Sequence, residues 1–132
     1  MPRPSGPPLL VACYDGRVED VRKLLAAGAD PRLPCGDQRI SWRLCIFNCV
    51  HFGYADVLEA LLATGHYELV HQVQNVIPRG APPLMYLLWH WAQPNHHVLK
   101  RAGSDPLECV RLLMEAGASV DAVEAQRSLS DS

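Results

Sequence analysis

Residues 18–32 read V-E-D-V-R-K-L-L-A-A-G-A-D-P-R, and residues 107–122 say nearly the same again, L-E-C-V-R-L-L-M-E-A-G-A-S-V-D-A. Val21-Arg22 returns as Val110-Arg111, Leu24 as Leu113 and Gly28-Ala29 as Gly117-Ala118, all 89 positions on. A fainter copy lies between them, where Leu61-Leu62 and Gly65 follow Leu24-Leu25 and Gly28 by 37. Self-similarity at spacings of this order marks a stacked-repeat protein. Each unit is too small to bury its apolar side alone and buries it on its neighbour.

Each copy follows one physical pattern. Val18, Val21, Leu24 and Leu25 share a helical face, and Leu107, Val110, Leu113 and Met114 do so again. Gly28, Gly65 and Gly117 each follow such a run, where a helix ends by turning one residue left-handed. A shorter apolar helix precedes each copy. Pro7-Pro8-Leu9 opens the first and Pro82-Pro83-Leu84 the third, and proline suits a first helical turn because that amide has no intrahelical acceptor.

Gly6, Pro8, Leu9 and Ala12 (G-x-P-L-x-x-A), then Gly16, then V-x-x-L-L-x-x-G-A-D at residues 21–30 together resemble the ankyrin repeat. The family pattern has threonine before that proline and histidine two residues after it, where this chain has Pro7 and Leu10. The resemblance covers about residues 6–122, strongly in the first repeat and the second half of the third, weakly in the second. It implies an all-α fold, an ankyrin-type helical-pair solenoid of about three irregular repeats.

Residues 1–5 (M-P-R-P-S) are expected to form a disordered leader and residues 123–132 a disordered tail. The first repeat spans about 6–34, with helices at 8–14 and 18–27 and a turn at Asp15-Gly16. Asp30-Pro31 opens the outward finger. The second repeat spans about 41–66. Ser41 is a candidate cap for a helix carrying Trp42, Leu44, Cys45, Ile46, Cys49 and Val50, with Cys45 where the signature proline would be. Its second helix, at 55–64, keeps Val57, Leu58, Leu61 and Leu62. The connection at 66–80 is apolar for a loop and fits either an extra helical turn or a short hairpin.

The third repeat, about 80–122, is interrupted. Pro8 to Val21 is a step of 13 and Pro83 to Val110 a step of 27, so 27 − 13 = 14 extra residues sit at about 91–104. Asp105-Pro106-Leu107-Glu108 then restarts a helix, with an acidic cap, proline first and glutamate third. Insertions in solenoids map to loops on one face, often a binding face. The last helix carries Val110, Leu112, Leu113 and Met114 with no repeat after it. The expectation is therefore a fragment, a short isoform, or a chain that completes its core on further repeats or on a capping subunit.

Composition narrows the function. With 132 residues, 48% hydrophobic and 20% charged, the chain has the make-up of one globular domain. A formal net charge of −2 provides no basic footprint for nucleic acid or an anionic membrane, and no apolar run approaches a membrane span. Five cysteines without framework spacing suit a reduced, intracellular protein, cytoplasmic with the nucleus also open. Glycines occur singly, in no phosphate-loop pattern, and no Gly-x-Ser-x-Gly elbow is present. No cofactor is expected.

Two clusters invite chemistry. Cys45 and Cys49 lie one turn apart near His51, but zinc wants four ligands and these cysteines fall on an apolar helical face, so core packing is the expectation. Trp89, His90 and Trp91 with His96 and His97 suit either a peptide or ligand pocket or packing of the helix end against the insertion. The resemblance implies that fingers and the first-helix face of the concave side hold other proteins. Here the matching positions are Asp37, Gln38, Arg39, Trp42 and Arg43, together with residues 70–79; Trp42 is either an anchor or core.

The function expected is a non-enzymatic module that binds another protein through these residues, with Trp89, Trp91, His96 and His97 from the insertion. In its sharper form it is a scaffold, an adaptor or a substrate-receptor fragment of a ubiquitin ligase of the ankyrin-plus-SOCS-box type, on fold analogy. The alternative is a small ligand- or metal-binding protein built on the Trp/His insertion.

Overall fold

The structure is a computed structural model and describes residues 7–32, 44–72, 81–92 and 104–118. Its helices come in pairs: α1 (Pro8–Asp15) with α2 (Val18–Ala26), α3 (Cys45–Phe52) with α4 (Ala55–Leu62), and α5 (Pro83–Trp91) with α6 (Pro106–Glu115). A 3-10 helix, Tyr67–His71, follows α4, so the described start of the 66–80 connection is helical. The three first helices pack in a row, α1 on α3 on α5, and the three second helices in another, α2 on α4 on α6. Pairs stacked in this way form an all-α helical-pair solenoid.

The starts and stops follow from local chemistry. Pro8 and Pro83 occupy the first turn of their helices, and Cys45 opens α3 in the same register. α1 and α3 end at Gly16 (φ 73°) and Gly53 (φ 72°), left-handed residues that let the next amides bond back to the helix. Arg17 N–H thus donates to Ala12 O at 3.0 Å and Tyr54 N–H to Cys49 O at 2.9 Å, turning each chain into its second helix. Both glycines are also places of close approach. A Cβ on Gly16 would lie 2.8 Å from Tyr54 Cζ, and one on Gly53 would lie 3.4 Å from Pro106 Cδ and Trp91 Cζ2. Tyr54 and Pro106 hold equivalent positions in successive repeats, so each turn is roofed by the next repeat's turn.

The middle repeat supplies most of the core. Ile46, Phe47, Cys49 and Val50 on α3, with Val57, Leu58 and Leu61 on α4, are covered from both sides. Fully burying a side chain of this size stabilises by about 1.5–3 kcal/mol. The second helices of the outer repeats are covered on one side only, which explains α2, where Val21 is buried and Val18, Leu24 and Leu25 are half-buried.

Two expectations need correction. α3 begins at Cys45, and Leu44 stands before it with extended backbone (φ −109°, ψ 127°) instead of lying inside it. Pro7 (ψ 143°) and Pro82 (ψ 167°) are extended at the same register, because the residue before the first helical position leads the chain in from outside. Ser41 and Trp42 lie outside the described residues. The stripe expected on α6 was Leu107, Val110, Leu113 and Met114, yet the buried residues are Cys109, Leu112 and Leu113. Leu107 is 82% exposed and Met114 46%. The sequence stripe combines the face turned to α5 with the face turned away from the preceding repeat. Cys109 and Leu112, in the register of Val57 and Ala60, take the side turned towards that repeat.

Candidate interaction surface

The C-terminal ends of the first helices form an aromatic edge that crosses all three repeats. In register, Tyr14 and His51 turn towards the following repeat and Phe52 and His90 towards the preceding one, and Trp89 holds the matching position of the third repeat. Tyr14 meets Phe52 edge-on with ring centroids 5.1 Å apart, and His51 stacks on His90 at 4.3 Å and 28°. His51 Nδ1 lies 2.7 Å from the Tyr86 hydroxyl. Burial pushes the Tyr86 pKa up to about 12, so the phenol keeps its proton in this contact. Phe47 braces Tyr86 edge-on at 5.5 Å.

The two expected tryptophans part company on this edge. Trp89 is 36% exposed, with its ring 6.4 Å from that of Tyr86, and presents an aromatic surface of the kind that anchors interfaces. Trp91 is half-buried, packed on the core and against the Gly53 turn, where it helps join repeat three to repeat two. Asp37, Gln38, Arg39, Trp42, Arg43, His96 and His97 lie outside the described residues. The sequence passed over Tyr86 and the pairing of His51 with His90. The signal was the offset of 38 between Cys45 and Pro83, which sets Phe52 in register with His90.

The described foot of the first finger is fixed by charge. Arg32 reaches Asp30 through Nε at 3.0 Å and through Nη2 at 2.9 Å, and Glu68 through Nη1 at 2.9 Å. Gln72 Nε2 donates to Arg32 O at 2.8 Å. The hydrogen bonds from Arg32 hold the Asp30 carboxyl down at about 2. Residue 30 of one repeat is thereby clamped to residues 68–72 after the next. Leu69 and Val70 are buried beneath that clamp, so Val70 is unavailable to a partner.

Cys13, Cys45, Cys49 and Cys109 are free thiols in the core. Cys49 Sγ donates to Cys45 O at 3.3 Å, as a protonated thiol must. Burial raises the pKa of Cys49 and pushes Cys109 up to about 12, the reverse of what a nucleophile or metal ligand needs at neutral pH. Among the described residues no three metal-ligating side chains converge.

No family model matches the sequence, and no curated protein does. Among solved structures, the human ASB11 ankyrin repeat domain superposes with a TM-score of 0.61 at 25% identity over 86% of this chain. The chain spans 41% of the length of that domain. No helix among the described residues is long and apolar enough to cross a membrane. The fold is an ankyrin-like stack of helical pairs, a type that typically binds other proteins.

Proposed function

We propose that the chain is a non-enzymatic protein-interaction module that holds its partner along the first helices, through the aromatic edge at their C-terminal ends and the fingers that lead into their N-terminal ends. The observation that carries this reading is the likeness to an ankyrin repeat domain over most of the chain, at a TM-score of 0.61. Trp89 supports the placement: it sits on a rigid helix, is partly exposed, and belongs to a residue type over-represented among interface anchors. The finger residues Asp37, Gln38, Arg39, Trp42 and Arg43, with His96 and His97 of the insertion, join it as partner-binding candidates. In the narrower form, the module is an adaptor or a substrate receptor of a ubiquitin ligase of the ankyrin-plus-SOCS-box type, which rests on fold analogy alone.

The test is affinity capture from cell lysate with three baits: the intact chain, Trp89→Ala, and a chain lacking residues 93–101. Bound proteins are identified by mass spectrometry. A partner held by the intact chain and lost with Trp89→Ala supports the edge as the site. Loss only on deletion moves recognition to the insertion. A partner held equally by all three baits counts against both.

A further inference from the structure

Four free cysteines lie in the described core, and three of them meet. α1 packs on α3, where Cys13 of α1 faces Cys45 and Cys49, one turn apart on α3. Side-chain interactions join the Cys13 thiol to both of the others. Cys13 and Cys49 are fully buried, and Cys45 is 4% exposed. Among the described residues no three metal ligands converge, so what these thiols offer is chemistry between pairs. As small apolar side chains they fill the space between α1 and α3. They also offer a bond that alanine or valine in the same places could not form.

We propose that Cys13 and Cys45 form a reversible disulfide that fastens the first repeat to the second, with hydrogen peroxide as the oxidant. Position favours Cys45 over Cys49. Cys45 opens α3, directly after Leu44 in extended backbone, and a helix N-terminus favours a thiolate. Cys49 lies inside the helix, with its Sγ engaged by Cys45 O at 3.3 Å. The reaction balances in two steps. The Cys45 thiolate attacks one oxygen of the peroxide, the O–O bond breaks, and a sulfenic acid forms as hydroxide leaves. The Cys13 thiolate then attacks that sulfur, an S–S bond replaces the S–O bond, and a second hydroxide leaves. With the two thiol protons the hydroxides become two waters. The two sulfurs together give up two electrons, and the peroxide takes them.

Burial decides when this happens. In the closed stack the neighbouring Cys13 thiol and burial together hold Cys45 protonated, so peroxide meets no thiolate there. The first repeat is an end repeat, covered on one side, with Leu24 and Leu25 of α2 only half-buried. Regions with fewer buried contacts open locally before the rest of a fold. Opening exposes the thiols to peroxide, and reclosing returns Cys13 to Cys45, where the disulfide forms. The two lie 32 positions apart in sequence, on adjacent helices, so the bond keeps α1 from leaving α3. The pair is thus a latch. It turns a transient opening under peroxide into a fixed closed state, and a thiol reductant releases it.

The latch lies in the core and stands or falls separately from the partner-binding reading. The experiment takes the full chain, reduced and then freed of reductant, and treats it with hydrogen peroxide. Remaining thiols are blocked with N-ethylmaleimide, and non-reducing digests are mapped by mass spectrometry. The expected product is an intramolecular disulfide between the Cys13 and Cys45 peptides, formed faster in low urea and reversed by dithiothreitol. Amides of α1 and α2 should exchange with deuterium about tenfold or more slowly in the oxidised chain than in the reduced one. Cys45→Ala should abolish the cross-link and Cys49→Ala should keep it; the map on the wild type decides the pairing even where a variant fails to fold. A chain that peroxide leaves reduced, or carries only to sulfinic and sulfonic acids, overturns the proposal. So does a disulfide that uses Cys35, Cys49 or Cys109 in place of either partner, or exchange equally fast in both forms.

Discussion

Gly16 and Gly28 both have positive φ, at 73° and 100°, yet they should respond differently to the same substitution. At Gly28 a Cβ meets nothing within 4 Å, so Gly28→Ala faces only left-handed strain. That strain costs an alanine about 1–2 kcal/mol and is partly offset by about 0.4–1 kcal/mol from a stiffer unfolded chain. The net cost is about 1 kcal/mol. At Gly16 the new methyl lies 2.8 Å from Tyr54 Cζ and 3.0 Å from Cε1, against the ring and not against a flexible tip. Tyr54 is 2% exposed and stacked on Phe52 at 5.4 Å, so it has nowhere to swing. Overpacking of this kind costs about 1–3 kcal/mol more. Gly16→Ala should therefore destabilise by about 2–4 kcal/mol, read as a lower urea midpoint at constant slope. A double-mutant cycle isolates the cause: in a Tyr54→Ala background the extra cost of Gly16→Ala should vanish and only the strain remain. Equal losses at the two glycines, or an excess at Gly16 that survives removal of Tyr54, would refute the idea that successive turns roof one another.

Two further predictions concern polar groups. Asp105 accepts from Glu108 N at 3.1 Å and caps α6, so Asp105→Ala should cost about 1 kcal/mol while Asp105→Asn costs much less; a thermal melt of Asp105→Ala that overlays the wild type would show the cap to be dispensable. The Asp30 carboxyl, depressed to about 2 by Arg32, against about 3.9 when unfolded, contributes stability that is complete above about pH 4 and lost as pH falls through about 2. Between those limits wild type should lose more stability than Asp30→Asn, by an amount that shrinks with salt because the pair is exposed; parallel pH profiles would contradict this.

Much of this architecture was legible because it repeats. The repeated pattern outlined α1, α2 and α4 to within about two residues, and Pro83 and Asp105-Pro106 marked where α5 and α6 start. The start of α3 was harder to see, since Cys45 in place of proline carries no start signal of its own. α6 misled for a different reason. Periodicity reports which residues share a helical stripe but not which flank of the helix a neighbour covers, so it grouped Leu107 and Met114 with Leu113, of which Leu113 alone is buried. The candidate site was only half legible. Trp89 and Trp91 were conspicuous by type, but two positions along a helix separate them by about 200° of rotation, which puts one at the surface and the other on the Gly53 turn. The contact of His51 with Tyr86 and His90 joins positions 35 and 39 residues apart in the sequence, which no local pattern encodes.

The interruption of the third repeat shows how a stack tolerates so large an insertion. In the first two repeats the chain passes from first to second helix through a left-handed glycine and a bond back to the same helix, from Arg17 to Ala12 and from Tyr54 to Cys49. The third has Trp91 in that register, and α5 ends on Ala92 in right-handed geometry (φ −88°), so its local closure is gone. The preceding repeat supplies the substitute. Ser104 Oγ donates to Phe52 O at 2.7 Å and Asp105 N–H to Gly53 O at 2.6 Å, and Tyr54 pairs with Ser104 in an isolated antiparallel bridge. Lengthening a loop costs little, since closure entropy grows only with the logarithm of its length. What the returning chain needs is a fixed landing point, and the carbonyls of Phe52 and Gly53, beside the turn that Pro106 roofs, provide it. The insertion is therefore anchored where it re-enters the stack, and its residues are free to diverge in sequence without moving α6.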